Sequence, residues 1–395
     1  MTLPGPGGRR LGAVRPTVLV VAGTRPEVLK LAPVLQALNE EHHHSRVRPV
    51  LCLTGQHREL VEDLVRFLRL DVAHRLDAMG ATESVSEVAG KVLQQLPAVF
   101  EAERPAMTLV QGDTVSALAG ALVAYYEGVP VGHVEAGLRT GRLDEPFPEE
   151  GNRRMITAVS SIHFAPTHET ASNLRREGIA GDAIEVTGNT VVDSLQRTRA
   201  RLLRGVPPGI AHRRGCDRDV VLVTVHRREN REHRLRAICE AVRRIADEND
   251  VHVVFPLHPS RRVRAEAIGR LSGHPRIALL EPLDHASMVG MLLRSRLVLT
   301  DSGGLQEEAV TAGRPVLVLR ESTDRPEGVA TGLVHVVGWD VETVVARAAD
   351  ALRGGAVAAD LEMTCGVYGD GRAGERIAAA VVRRLTADVR HDIVP

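Results

Sequence analysis

The stretch TVLVVAGTRPEVLKLAP, residues 17–33, holds a short run of mostly branched apolar residues, a glycine turn at Gly23 and an apolar-periodic segment with Pro26 near its start. A run that barely alternates in polarity suits a strand covered on both faces. Proline just inside a helix costs nothing there, because its missing N–H would have had no partner. Strand, glycine turn and helix make the first half of a parallel βαβ unit. Working outward, the same alternation predicts further strands at 47–53, 107–110, 129–134, 161–165 and 183–186. A second series is predicted at 220–225, 251–255, 277–280, 296–300, 315–319 and 335–337. Helices are expected at 26–39, 85–100, 115–126 and 235–247, among others. The segment 199–218 carries Arg, Gly and Pro without a strand pattern and separates the two series.

The fold class is therefore α/β, with two Rossmann-like, doubly wound domains facing a cleft and joined near residues 190–215. The expected boundaries are a loose tail over 1–16, a first domain over 17–190, a second over 215–375, and a helix over 376–395 that packs back on the first. A chain of 395 residues is too long for one ordinary core, which agrees with two domains.

Composition narrows the function classes. Fifty basic residues balance fifty acidic ones, and only 2% of residues are aromatic. A dedicated nucleic-acid binder needs a net basic face and bases need aromatic platforms, so neither is supported. No apolar run reaches about 18 residues, which excludes a helical membrane span. The four cysteines lie far apart without a C-x-x-C pair, so no metal site is expected and reduced thiols in a cytoplasmic protein are. Only two basic residues, Lys30 and Lys91, are lysines. In a chain that otherwise uses arginine, Lys30 asks for an explanation, since a compact ammonium does what a forked guanidinium does not.

Ligands of open α/β sheets sit at the carboxyl ends of strands. Arg25 and Lys30 follow the first strand at a helix start, an arrangement that favours an anion. Asp113 follows the third; a helix N-cap and an acid/base role both fit it. Glu135 ends the next strand with no helix end to serve, and PFPEEGNR (residues 146–153) delivers Glu149 and Glu150 to a helix start. Three clusters of acids on successive strand ends suggest proton transfer. The second domain is expected to supply mainly cations, from His226-Arg227-Arg228 onward. Ser302-Gly303-Gly304 between strand and helix reads as a diphosphate cradle, with Arg325 after the next strand. Glu308 fits two roles, acceptor for vicinal sugar hydroxyls or solvated helix surface.

Taken in order, GTRPEVLKLAP (23–33), QHR (56–58), GDT (112–114), HVEAGLRT (133–140), PEEGNR (148–153), TGNT (187–190), HRRE (226–229), DSGGLQEE (301–308) and RPE (325–327) resemble the non-hydrolysing UDP-N-acetylglucosamine 2-epimerases, over residues 17–378. The resemblance implies a glycosyltransferase-B-like fold, a homodimer, and interconversion of UDP-GlcNAc and UDP-ManNAc through elimination of UDP to a bound 2-acetamidoglucal. It implies no cofactor and no metal. It places Arg25, His226, Ser302, Gly303 and Gly304 at the diphosphate, and Glu308 at the ribose with Arg325 beside it. Lys30, Asp113, Glu135, Glu149 and His226 are the implied catalytic residues. A UDP-sugar glycosyltransferase of the same fold, or an epimerase of a modified UDP-hexosamine, is the alternative.

Three departures from the family pattern stand out. After Glu281-Pro282 the chain has His285 and Met288 where aromatics are usual. The HRRE motif runs on as Asn230-Arg231-Glu232 instead of a glycine-containing loop. Gln56 and His57, implied for a regulatory UDP-GlcNAc site, are present, but residues 78–84 have no arginine to go with them.

Overall fold

A computed structural model of the chain describes residues 15–55, 58–78, 84–205, 218–225, 232–354 and 366–391. Seven strands form the first sheet: β1 (Thr17–Ala22), β2 (Arg48–Leu53), β3 (His74–Arg75), β4 (Met107–Gln111), β5 (Val131–Val134), β6 (Ile162–Ala165) and β7 (Ile184–Val186). Six form the second: β8 (Asp219–Thr224), β9 (Val251–Pro256), β10 (Ile277–Leu280), β11 (Ser295–Thr300), β12 (Val316–Val318) and β13 (Val334–Val336). The orders are β3-β2-β1-β4-β5-β6-β7 and β10-β9-β8-β11-β12-β13, with every pairing parallel. Each sheet reverses direction once, between β1 and β4 and between β8 and β11. Those two switch points open the crevices where ligands of such sheets bind.

All six residues of β1 are buried, as the unalternating sequence predicts. Val18, Val20 and Ala22 face a layer containing Val28, Leu31 and Leu35, whereas Leu19 and Val21 face Val92, Leu96 and Ala121. The second sheet is covered on both sides in the same way, by Ile238 and Val242 on one face and Val289 and Val310 on the other.

Two helices tie the domains together. The helix Thr190–Leu203, which the sequence reading did not single out, occupies the first part of the joint expected near residues 190–215. Val191, Val192 and Leu195 enter the second domain's core, while Ser194 Oγ donates to Leu29 O of the first domain at 2.6 Å. The pattern is weak in sequence because its buried face mixes Thr190, Asp193, Ser194 and Thr198 with the apolar residues. The last helix, Ala373–His391, contributes Ile377, Ala378 and Val381 to the core around β1. The Asp193 carboxylate accepts from Ala373 N at 3.2 Å and Gly374 N at 2.9 Å, so the linker helix caps the C-terminal one. Asn189 N, bonded to Tyr368 O at 2.7 Å, marks where the two chain crossings meet.

Candidate active site

The site is built from the carboxyl ends of β1, β4, β5 and β11. After β1, the buried Glu27 carboxylate accepts from Gly23 N (3.1 Å), Thr24 N (2.7 Å) and Thr114 Oγ1 (2.7 Å). It staples the first turn to the turn after β4, and burial lifts its pKa to about 7. A Cβ on Gly23 would lie 2.0 Å from Ser116 Oγ, so only glycine lets β1 turn here.

Asp113 does not cap the helix Val115–Tyr126. That role falls to Thr114, whose hydroxyl accepts from Ala117 N at 3.0 Å. The Asp113 carboxylate is left to accept from Arg153 Nη2 at 2.5 Å, while its carbonyl accepts from Asn152 Nδ2 at 2.8 Å. Glu149 is the first residue of the helix Glu149–Val159 and half-buried. Three and four residues ahead of Asn152 and Arg153, it lies on the same side of the helix as the two residues that bind Asp113. Its neighbour Glu150 is structural: fully buried, it accepts from Thr140 N and from Arg154 Nε, each at 3.1 Å.

Glu135 follows β5 with φ at +64°, a left-handed conformation that costs a non-glycine residue roughly 1–3 kcal/mol. The side chain is held from several directions. Lys30 Nζ and Gln111 Nε2 make short hydrogen bonds to it, Asn189 Nδ2 donates at 3.2 Å, and Arg325 lies 3.8 Å away. Burial raises the Glu135 pKa above the ordinary carboxylate value, with Lys30 opposing. Burial disfavours the Lys30 ammonium, but Glu135 and Glu307 outweigh it and the net direction is upward. A carboxyl pushed upward against a fixed ammonium suits proton transfer.

Across the cleft, Ser302 caps the helix Gly303–Thr311, whose first N–H groups lack intrahelical acceptors. An added Cβ on Gly303 would lie 2.8 Å from Arg325 Cζ, while one on Gly304 would meet open space. Cation and helix terminus thus adjoin, as an anion site requires. Glu308 is 9% exposed, which settles its sequence alternatives against solvated surface. Burial raises its pKa to about 7, partly opposed by Arg25 and Lys30. Arg25, half-buried, reaches over to donate to Leu283 O at 3.3 Å.

Charge is not divided between the domains as the sequence suggested. The second domain contributes Glu307 and Asp324 beside Arg325, and the first contributes Lys30 and Arg153. Glu307 binds Lys30 and Arg325, each at 3.0 Å. Asp324 binds Arg153 at 3.2 Å and Arg320 at 3.5 Å, with a short bond to Arg325. Burial opposes its charge, yet the three guanidiniums hold its pKa well below the usual range. Sequence reasoning missed Glu307, Asp324, Arg153 and Asn189. Each lies within or beside a quoted motif, and none has an isolated pattern that separates it from a helix surface.

His285 does not stand in for a base-stacking aromatic. Its Nε2 meets Thr198 Oγ1 at 3.0 Å on the linker helix, and its ring packs edge-on against Phe67. His226, Gln56, His57 and the loop after His226 lie outside the described residues. No group of His, Cys, Asp and Glu able to hold a metal occurs among the described residues.

Burial lowers the pKa of His133 and His285 to about 3 and of His163 to about 4. His133 Nε2 donates to Gly112 O at 2.7 Å and so fixes the turn before Asp113. Because the folded pKa values lie below the unfolded value of about 6.5, this stability is complete above that pH and is lost as pH falls beneath it. Urea unfolding at pH 7.5 and 5.5 should differ by about 1.4 kcal/mol per histidine per pH unit below that value. His285→Gln should reduce the dependence.

The profile of the UDP-N-acetylglucosamine 2-epimerase family matches residues 39–382. A Salmonella typhimurium UDP-N-acetylglucosamine 2-epimerase is 38% identical over 371 residues, covering 92% of this chain and 98% of the relative. The crystal structure of the Neisseria meningitidis UDP-GlcNAc 2-epimerase bound to UDP-GlcNAc superposes with a TM-score of 0.86 at 35% identity, covering 93% and 100% of the two chains. An S. aureus protein named MnaA, solved with UDP, gives 0.86 at 37% identity over 94% and 97%. With the family profile spanning most of its length and such relatives matching end to end, this chain belongs to the UDP-N-acetylglucosamine 2-epimerase family.

Proposed function

We propose that the protein is a non-hydrolysing isomerase that interconverts UDP-N-acetylglucosamine and UDP-N-acetylmannosamine at C2. The observation that carries the mechanism is the buried Lys30–Glu135 pair standing against a glycine-lined helix terminus with Arg325. In the forward direction a carboxylate takes the C2 proton, the C1–O bond breaks, and its electron pair leaves on the β-phosphate of UDP. The C–H electrons form the C1=C2 bond of bound 2-acetamidoglucal. Return of UDP to C1, with a proton delivered to the other face of C2, gives the epimer.

C2–H is weakly acidic, so its removal must accompany positive charge on the ring, and cations at the departing diphosphate lower the barrier. Arg25, Ser302, Gly303, Gly304 and His226 take that binding role in this reading, with Arg325 close by. Lys30, Asp113, Glu135 and Glu149 surround the sugar, and Glu308 accepts from the ribose hydroxyls. Gln56 and His57 are the proposed contacts of a regulatory nucleotide sugar. The protein works in the cytoplasm as a homodimer. The exposed side chains of Tyr125, Tyr126, Leu143 and Phe147, on the packed helices 115–126 and 149–159 and the loop between them, support the second copy.

Proton NMR of the purified protein with UDP-GlcNAc should show UDP-ManNAc growing to a fixed ratio. Unchanged UDP-GlcNAc, or transfer of the sugar to an added acceptor without the epimer, would overturn the reading. The Glu308 role has its own signature. A charged carboxylate is the stronger acceptor, so KM for UDP-GlcNAc should rise as pH falls below about 7. Glu308→Gln should raise KM at pH 8 and remove most of that rise.

A further inference from the structure

Lys30 and Arg325 approach one another from opposite domains, and like charges in a buried site repel. Between them lies Glu307, only 1% exposed, on the helix that begins at the Ser302 cradle. Its two oxygens do different work. Oε2 accepts from Lys30 Nζ at 3.0 Å, and Oε1 accepts from Arg325 Nε at 3.0 Å.

Resting on the epimerase reading, we propose that Glu307 is a positioning residue that clamps the first domain's ammonium to the second domain's guanidinium. The two cations are then held as one preformed site, with Lys30 at the sugar and Arg325 beside the departing diphosphate.

The charges around the clamp are arranged for this. Lys30 faces Glu135 and Glu307 as attractive partners, Arg325 as a repulsive one, and Glu308 at longer range. Glu307 is also felt by Tyr368. Without Glu307, Lys30 keeps only Glu135 as a close counter-ion among the described residues, and the pair would close on itself. That would hold Glu135 as a spectator carboxylate and leave Arg325 to Asp324. Both Glu307 oxygens are already engaged by cations, so the residue acts through Lys30 and Arg325 and takes no proton from the sugar.

The scarcity of lysine makes the test direct. Protein labelled with 15N-lysine has two side-chain ammonium signals, from Lys30 and Lys91, and the second serves as reference. Glu307→Gln should lower the pH at which Lys30 titrates by about one unit or more, since a negative neighbour is lost. It should lower kcat about 100-fold with KM for UDP-GlcNAc nearly unchanged, and shift the alkaline limb of the rate profile down with the lysine. Arg325→Gln removes the repelling charge and should move the Lys30 titration the other way.

An unmoved Lys30 titration or an unchanged kcat in Glu307→Gln overturns the proposal. If that variant does not fold, Arg325→Gln decides, and a Lys30 titration that fails to rise overturns it. The lysine signal is read without substrate, so the two readings fail separately. Failure of the clamp is an unmoved lysine in an active enzyme. Failure of the epimerase reading is no UDP-ManNAc from the wild type, whatever the lysine does.

Discussion

Glu135→Gln is expected to lower kcat by about 10³-fold while leaving the affinity for UDP within about threefold. The expectation follows from where the side chain is held. Glu135 sits on a left-handed backbone, faces Lys30, Gln111 and Asn189, and is buried enough to lift its pKa. An amide keeps the shape and the possibility of accepting a hydrogen bond, but it cannot take up or deliver a proton. The proposed diphosphate cradle at Ser302–Gly304 lies on the other domain and is not touched by the change. Asp113→Asn should behave similarly, with turnover falling far more than UDP binding. Steady-state kinetics and calorimetric titration with UDP separate the two quantities. A parallel loss of UDP affinity would show that these residues belong to the binding face.

Asp324→Asn is expected to destabilise the protein by about 3–5 kcal/mol. Asp324 is 2% exposed and is the common counter-ion of Arg153, Arg320 and Arg325. Neutralising it leaves those buried guanidiniums with too little negative charge, and breaking such a group costs far more than a surface pair. The loss should persist in high salt, because screening ions do not reach the interior. It should shrink in the double variant Asp324→Asn with Arg320→Met, where one of the stranded charges is replaced by an apolar chain. Urea unfolding of the three proteins measures this. A loss below about 1 kcal/mol would mean that solvent reaches the cluster and that the domains part readily there.

The fold was legible in the sequence because its evidence is repeated many times. Unalternating Val, Ile and Leu runs such as 17–22 and 297–299 can be satisfied only under two layers of helices, and each run brought its own turn and helix start. The two-residue strand β3, His74–Arg75, escaped notice because it is polar and too short to carry a pattern. The linker helix Thr190–Leu203 was obscured for a different reason. Its buried face packs Val191, Val192 and Leu195 into the second domain and turns polar residues such as Ser194 to the first, so the apolar periodicity is diluted.

The site was legible to the extent that each residue had an odd position of its own. Lys30 stood out among arginines, and Glu135 stood out as an acid ending an apolar strand. Glu307 and Glu308 are adjacent, and spacing alone gives no reason to divide their roles. The division appears only in space, where Glu307 turns to Lys30 and Arg325 while Glu308 is felt by Arg25. Asp113 was open between cap and acid until Thr114 was seen to do the capping. The pairing of Asp324 with Arg153, 171 residues apart, is a product of the closed cleft and has no local trace.

In the proposed reaction a proton leaves C2 and is replaced from the protein as the configuration inverts. The direct measurement is incubation with UDP-GlcNAc in heavy water, followed by proton NMR and mass spectrometry of both sugar nucleotides. One deuterium should appear at C2 of UDP-ManNAc from the first turnovers and at C2 of the recovered UDP-GlcNAc as equilibrium is approached. UDP-ManNAc formed with its C2 proton retained, or no exchange and no new sugar nucleotide, would contradict the account.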